Sequence, residues 1–287
     1  MTVAARDFDY IAGLLRRRTA IVLEPGKEYL VESRLLPVAR DAGADSVSDL
    51  VALLQCQPET ELHEVVVDAM TTNETSWFRD RYPYDALATR VLPELLSTRA
   101  RERRIAIWSA GCSSGQEPYS IAMSLHEQLA TRPDWQASVL ATDISQEMLA
   151  RARAGRYGQL EINRGLPAAM LVAHFEREGM EWSVRPHVRR LVDFASVNLA
   201  EPLPAVFPRF DVVFLRNVLI YFDPVTKREV LRRVRSVLRP DGYLFLGGAE
   251  TTLHLDDEFE LVQLDRATCY RLRAERPGPS PREGRQS

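Results

Sequence analysis

Cysteine is scarce: three in 287 residues, at positions 56, 112 and 269. They lie far apart, with neither metal-ligand spacing nor an even-numbered framework. That argues against a disulfide scaffold and a bound metal and suits a reducing compartment. A strong charge of one sign is also missing. The formal net charge is -3, so no global basic field draws nucleic acid. Long apolar runs are absent too. The most apolar stretch, Val212 to Phe222, is interrupted by Arg216 and Asn217 and is too short to span a bilayer. The first residues, MTVAARDFDY, are charged and hold no apolar core, so no signal peptide is expected. No internal repeat occurs. Five histidines, His63, His126, His174, His187 and His254, form no dyad pattern in the sequence. What is present is ordinary globular composition, 45% hydrophobic and 27% charged, with room for one large domain and a smaller one. The expectation is a soluble, cytoplasmic protein.

Residues 1 to about 70 read as helices. Phe8, Ile11, Leu14 and Leu15 recur at helical spacing, as do Leu62, Val65, Val66 and Ala69. From about 104 strands and helices alternate. Strands are expected at 104–109, 138–143, 190–197, 211–216 and 243–247, with helices at 116–130 and 224–238. Asp223 caps the latter, and Pro224 takes its first position. Such alternation implies a parallel sheet. Two final apolar runs, Phe259–Val262 and Thr268–Leu272, are too close for a crossover helix and predict an antiparallel hairpin. Residues 156–190 break the rhythm: a helix over Leu166–Phe175, then short strands at Trp182–Val184 and Val188–Val192, read as a small β-rich insertion. The tail from Glu275 lacks apolar anchors and is expected to be disordered.

The most informative run is Trp108-Ser-Ala-Gly-Cys-Ser-Ser-Gly-Gln-Glu-Pro-Tyr-Ser120. It follows the apolar Ile105–Trp108 and leads into a helical pattern. Strand, glycine turn, helix is the nucleotide-binding corner of a doubly wound α/β fold. A dinucleotide site wants bare N–H groups aimed at a pyrophosphate. This turn carries a carboxylate, Glu117, at the helix start, where an anion sits favourably. It repels phosphate and attracts an ammonium, so the predicted ligand is a nucleoside with a cationic amino-acid tail, which S-adenosylmethionine satisfies. The same carboxylate, and the lack of a third closely spaced glycine, disfavour a nicotinamide oxidoreductase.

Other polar groups stand where strands end. Asp143 closes the second strand, a position that bonds ribose hydroxyls; it could alternatively cap the next helix. Arg216-Asn217 terminates a buried strand and requires an ion pair or a ligand, because an unpaired buried charge is costly. Asn198 ends another strand, which by itself reads as a turn. Between the two domains, Thr71–Asp80 is dense in polar and aromatic residues. It is either a capped helix start or, if helical, a face holding Asn73, Thr75 and Arg79.

Four segments together resemble the CheR family of bacterial chemotaxis protein-glutamate O-methyltransferases: Asn73–Arg79 (NETSWFR), Trp108–Ser120, Ala141–Ser145 (ATDIS) and Arg216–Asp223 (RNVLIYFD). The resemblance runs over nearly the whole chain in order. Trp77 departs from it where Phe is frequent, and Gln116 where Glu is frequent. It implies an α/β protein: a small all-helical N-terminal domain (1–73) plus a doubly wound S-adenosylmethionine-dependent methyltransferase domain (74–274), with a β-subdomain insertion at about 156–190 and a tail at 275–287. Carried over, it implies cofactor contacts from Asn73, Thr75, Arg79, Glu117, Asp143, Asn198, Leu199, Arg216 and Asn217, with S-adenosyl-L-homocysteine as product. Arg79 and Tyr221 are expected at the reacting methyl, although Tyr221 could instead pack under the following helix. The implied substrates are glutamates on cytoplasmic helices of methyl-accepting chemoreceptors, with no nucleic acid, no metal and no membrane insertion, and the protein acting as a monomer. Arg16-Arg17-Arg18, Arg34 and Arg40 form either a solvated basic face or a dock for those helices. The short connection Glu176–Trp182 predicts no reliance on a receptor C-terminal peptide. A catalytically idle cofactor-binding signalling module is the alternative.

Overall fold

A computed structural model describes residues 3–56, 58 and 60–273; the expected disordered tail lies outside these. Four helices come first: α1 (Ala5–Thr19), α2 (Glu28–Asp41), α3 (Val47–Cys56) and α4 (Glu61–Met70). Their apolar positions meet in one core, with Ile11, Leu14, Val31, Leu35, Leu50 and Val66 buried. The N-terminal unit is therefore all-helical, as its periodicity predicts.

Residues 72–76 are irregular, and a turn follows at 77–80. The helical face expected for Asn73, Thr75 and Arg79 does not form. Phe78, Asp80 and Arg81 have positive φ values of 46°, 64° and 51°, which a helix does not tolerate. Helices α5 (Tyr82–Ala86) and α6 (Leu92–Thr98), joined through a π-helical turn at Leu87–Val91, lead into the sheet domain.

There β1 (Arg104–Ala110), α7 (Gln116–Leu129), β2 (Gln136–Asp143) and α8 (Gln146–Ala154) alternate as expected. After the insertion come β6 (Val192–Ser196), β7 (Phe210–Leu215), α12 (Pro224–Val237), β8 (Leu238–Leu246), β9 (Phe259–Leu264) and β10 (Ala267–Leu272). The sheet order is β6-β2-β1-β7-β8-β10-β9. The first five strands run parallel, and β10 is antiparallel to both neighbours. Alternate side chains feed two cores: Ile105, Ile107 and Phe214 face one, Ala106, Trp108 and Val213 the other. Both faces are covered, which is why the strands read as apolar runs. Asp223 caps α12 by accepting from Thr226 N at 2.8 Å.

The insertion departs from its expected detail. It holds β3 (Arg156–Gly158), α9 (Gln159–Ile162), α10 (Ala168–His174), β4 (Phe175–Glu178), β5 (Glu181–Val184) and α11 (Pro186–Arg189). Its sheet is β3-β5-β4. The strand expected over Val188–Val192 is instead the end of α11 followed by β6 of the main sheet. Pro186 sits in the first turn of α11, where its fixed φ favours helix. The connection Glu176–Trp182 is a hairpin: Glu178 pairs with Glu181, leaving only Gly179 and Met180 between them.

The histidines also differ from expectation. His126, His174 and His187 come together at the junction of α7, α10 and α11, with His174 Nδ1 3.0 Å from His187 Nε2 and the His126 and His187 ring centroids 4.4 Å apart. Their separation in sequence hides this grouping. None of the three lines the cavity described below.

Candidate functional site

One crevice opens at the C-terminal ends of the parallel strands, the place this topology reserves for ligands. It holds about 880 Å³ of empty space including its open mouth. Asn73, Thr75, Arg79, Glu117, Asp143, Asn198, Leu199, Arg216, Asn217 and Tyr221 all line it. The helical unit supplies residues that sequence reasoning missed, Thr19, Ile21, Thr71 and Thr72, and the sheet domain adds Ile144 and Val218.

Each wall has a local cause. Gly111 ends β1 at φ 77°, and a Cβ there would stand 2.4 Å from a methyl of Val218. Only glycine lets the turn lie against the strand-end loop. Asp143 does not cap α8; Ser145 does, accepting from Met148 N at 3.1 Å. Asp143 instead accepts from Ser113 N at 2.7 Å and Ser145 N at 2.9 Å, fastening the turn to the end of β2. Burial pushes its carboxyl above the usual range, against those backbone bonds.

Glu117 opens α7 and is buried. Ser109 Oγ donates to its Oε1 at 2.9 Å, and Arg216 Nη1 lies 3.3 Å from Oε2. Burial raises its carboxyl, with Arg216 and Ser109 acting in the opposite direction. Arg216 is thus ion-paired to a neighbouring helix, the first of the two expected alternatives, and it also lines the crevice. Its Nη2 also donates to Arg79 O at 3.0 Å and to Asp80 Oδ2 at 2.5 Å, so it holds the irregular turn that carries Arg79. Arg79 itself donates to Glu74 O at 3.0 Å.

The helical unit closes the crevice through main-chain pairing. Ile21 bridges Phe222, and Val22 N donates to Tyr221 O at 2.9 Å. Tyr221 is half-buried and lines the crevice. The Asn198 amide is committed to the domain junction, donating to Arg18 O at 2.8 Å and Glu201 Oε1 at 3.0 Å. Three arginines proposed for docking are likewise engaged within the chain: Arg16 with Asp223, Arg18 with Glu64, and Arg34 with the carbonyls of Met70 and Thr71 at the end of α4.

The family model described as the CheR methyltransferase all-alpha domain matches residues 6–71, and that of the SAM binding domain matches 73–268. The chain belongs to the CheR methyltransferase family. It is 43% identical to chemotaxis protein methyltransferase 1 of Pseudomonas aeruginosa over 277 residues, 95% of this chain and 100% of that one. Against the chemotaxis protein methyltransferase of Escherichia coli it is 36% identical over 267 residues, 91% of this chain and 90% of that one. The cofactor of this CheR chain is S-adenosylmethionine. The crevice suits it: one carboxylate, Asp143, ends β2 and another, Glu117, lies in the first turn of α7, and Asn217 Oδ1 is buried with no hydrogen-bond partner among the described residues. No helix among the described residues is long and apolar enough to cross a membrane.

Proposed function

We propose that this chain methylates glutamate side chains on the cytoplasmic helices of chemoreceptors, yielding glutamate methyl esters in chemosensory adaptation. Bound S-adenosylmethionine supplies an electrophilic methyl on its sulfonium. Glu117 faces the ammonium and Asp143 the ribose hydroxyls, with Asn73, Thr75, Asn198, Leu199 and Asn217 completing the cofactor wall. The observation that carries the reading is the company Glu117 keeps. A guanidinium, Arg79, and a phenol, Tyr221, line the same crevice, and no histidine does. An acceptor carboxylate is ionised at neutral pH, so it needs orientation and not deprotonation. Arg79 can hold it bidentately, Tyr221 can donate one further bond, and the crevice strips it of water. Positioning of this kind contributes up to ~7–11 kcal/mol in well-aligned systems.

The test is label transfer from methyl-labelled S-adenosylmethionine to a panel of receptor cytoplasmic fragments. The label is expected to leave as methanol in mild base, as an ester does. Tyr221→Phe is expected to slow single-turnover transfer roughly ten- to hundredfold, the worth of a hydrogen bond to a charged group, with S-adenosylhomocysteine affinity nearly intact. A wild-type rate would reduce Tyr221 to a wall residue. Cofactor binding without transfer to any fragment would favour the idle module.

The β-subdomain bears on how substrates are reached. A sheet edge can capture an extended peptide by strand addition, but here the β4–β5 turn holds two residues and offers no loop to close over one. A receptor C-terminal pentapeptide is expected not to bind in calorimetry. Micromolar affinity would overturn this expectation.

A further inference from the structure

The segment Leu246-Gly-Gly-Ala-Glu250 leaves the end of β8, and the function above leaves it without a role. Glu250 lies outside the crevice lining, yet its carboxylate gathers four backbone amides. Oε2 accepts from Asn217 N at 2.7 Å and Gly247 N at 2.6 Å. Oε1 accepts from Val218 N at 2.9 Å and Ile220 N at 3.3 Å. Three of these donors belong to the loop between β7 and Tyr221. Successive amides converging on one anion form a nest, here filled by the protein's own side chain.

At its far end the loop is tied by Val22 N to Tyr221 O and by the Ile21–Phe222 bridge; at Asn217, Val218 and Ile220 the side chain that accepts from the backbone amides is that of Glu250. Asn217 is in the left-handed region at φ 59°, which costs energy for a residue with a Cβ. The short 3-10 turn Leu219–Tyr221 follows at once. Gly247 is part of the same device. A Cβ on it would stand 2.7 Å from Glu250 Oε2 and 2.9 Å from Asn217 N. Glycine thus leaves the space in which carboxylate and loop meet.

We infer that Glu250 is a positioning residue for methyl transfer, fixing the Asn217–Tyr221 loop so that the Tyr221 phenol stands at the crevice mouth. It touches neither cofactor nor acceptor and acts through the loop. The inference rests on the role given to Tyr221 above.

Two measurements on the full chain test it. Amide hydrogen exchange needs no acceptor. Glu250→Gln replaces one acceptor oxygen by a donor, so the amides of 217–220 are expected to exchange about tenfold or more faster, while those of β1 and β2 stay unchanged. Unaltered exchange at 217–220 overturns the clamp. The second is a double-mutant cycle on single-turnover methylation of a receptor fragment at saturating cofactor. In the wild-type background Glu250→Gln is expected to slow transfer about tenfold or more. In the Tyr221→Phe background it is expected to cost less than about threefold, because linked residues are not additive. A merely structural loss would slow both backgrounds equally, and that result overturns the inference while leaving Tyr221 in place. A wild-type rate for Tyr221→Phe alone brings down the Tyr221 reading instead. Should Glu250→Gln fail to fold, Glu250→Asp keeps the charge, cannot span the nest, and is expected to give the same pattern in both measurements.

Discussion

Arg216→Ala is expected to destabilise the fold by about 3–5 kcal/mol, the cost of removing one partner from a buried ion pair. The Arg216 side chain is 1% exposed and that of Glu117 11%, so both charges are largely withdrawn from water in the folded protein. The substitution also removes the donors to Arg79 O and Asp80, freeing a turn with three positive-φ residues. Urea unfolding followed by circular dichroism measures the loss. Arg216→Lys is expected to recover little, because one ammonium cannot reach Glu117, Asp80 and the Arg79 carbonyl together. A change below about 1 kcal/mol in the alanine variant would show that the pair is held together by its surroundings and adds nothing to them.

Glu117→Gln is the second large effect, read as cofactor affinity of the folded variant, in which Arg216 keeps Asp80 as its charged partner. The amide keeps the shape and the Ser109 contact but loses the charge offered to an ammonium. A charge-assisted hydrogen bond is worth ~1.5–3 kcal/mol, so S-adenosylhomocysteine affinity is expected to fall roughly ten- to hundredfold in calorimetry. The pH dependence follows from burial, which raises the Glu117 carboxyl above its usual value. Protonation on acidification therefore begins at a higher pH than for an exposed glutamate, and wild-type affinity is expected to weaken as pH falls through that raised value. The same shift acts on stability with the opposite sign: a carboxyl raised on folding favours the folded state at low pH and loses that contribution as pH rises. In Glu117→Gln this contribution to the pH dependence of affinity is expected to vanish. Equal affinities of wild type and variant at neutral pH would remove Glu117 from the ammonium site.

Local signals carried the reading where they were local in origin. The Ile105–Trp108 apolar run, the glycine turn and the Asp223-Pro224 helix start each depend on residues within a few positions, and each stands where expected. The final hairpin follows from the short spacing between its strands. The insertion was legible as β-rich, but its pieces were not. Its first strand, Arg156–Gly158, is three residues long, too short for periodicity to register. Pro186 turned an apparent strand into a helix. At Phe78–Arg81 the main chain takes positive φ at residues with ordinary side chains, because Arg216 and the surrounding fold hold it there; no residue type announces that.

By itself the sequence determined the order of elements, the all-helical leading unit, the parallel sheet with its antiparallel last strand, and the nature of the ligand corner. Those features follow from side-chain periodicity, from glycine at a turn and from a carboxylate beginning a helix, all short-range causes. Tertiary structure alone decided which distant groups meet. It set Arg216 between Glu117 and Asp80, paired Ile21 and Val22 with the segment bearing Tyr221, and gathered three histidines away from the crevice. It also placed Glu250 beneath the Asn217–Tyr221 loop. Such meetings depend on the path of the whole chain, and a buried charge finds its partner across it because leaving that charge unpaired costs more than bringing the two segments together.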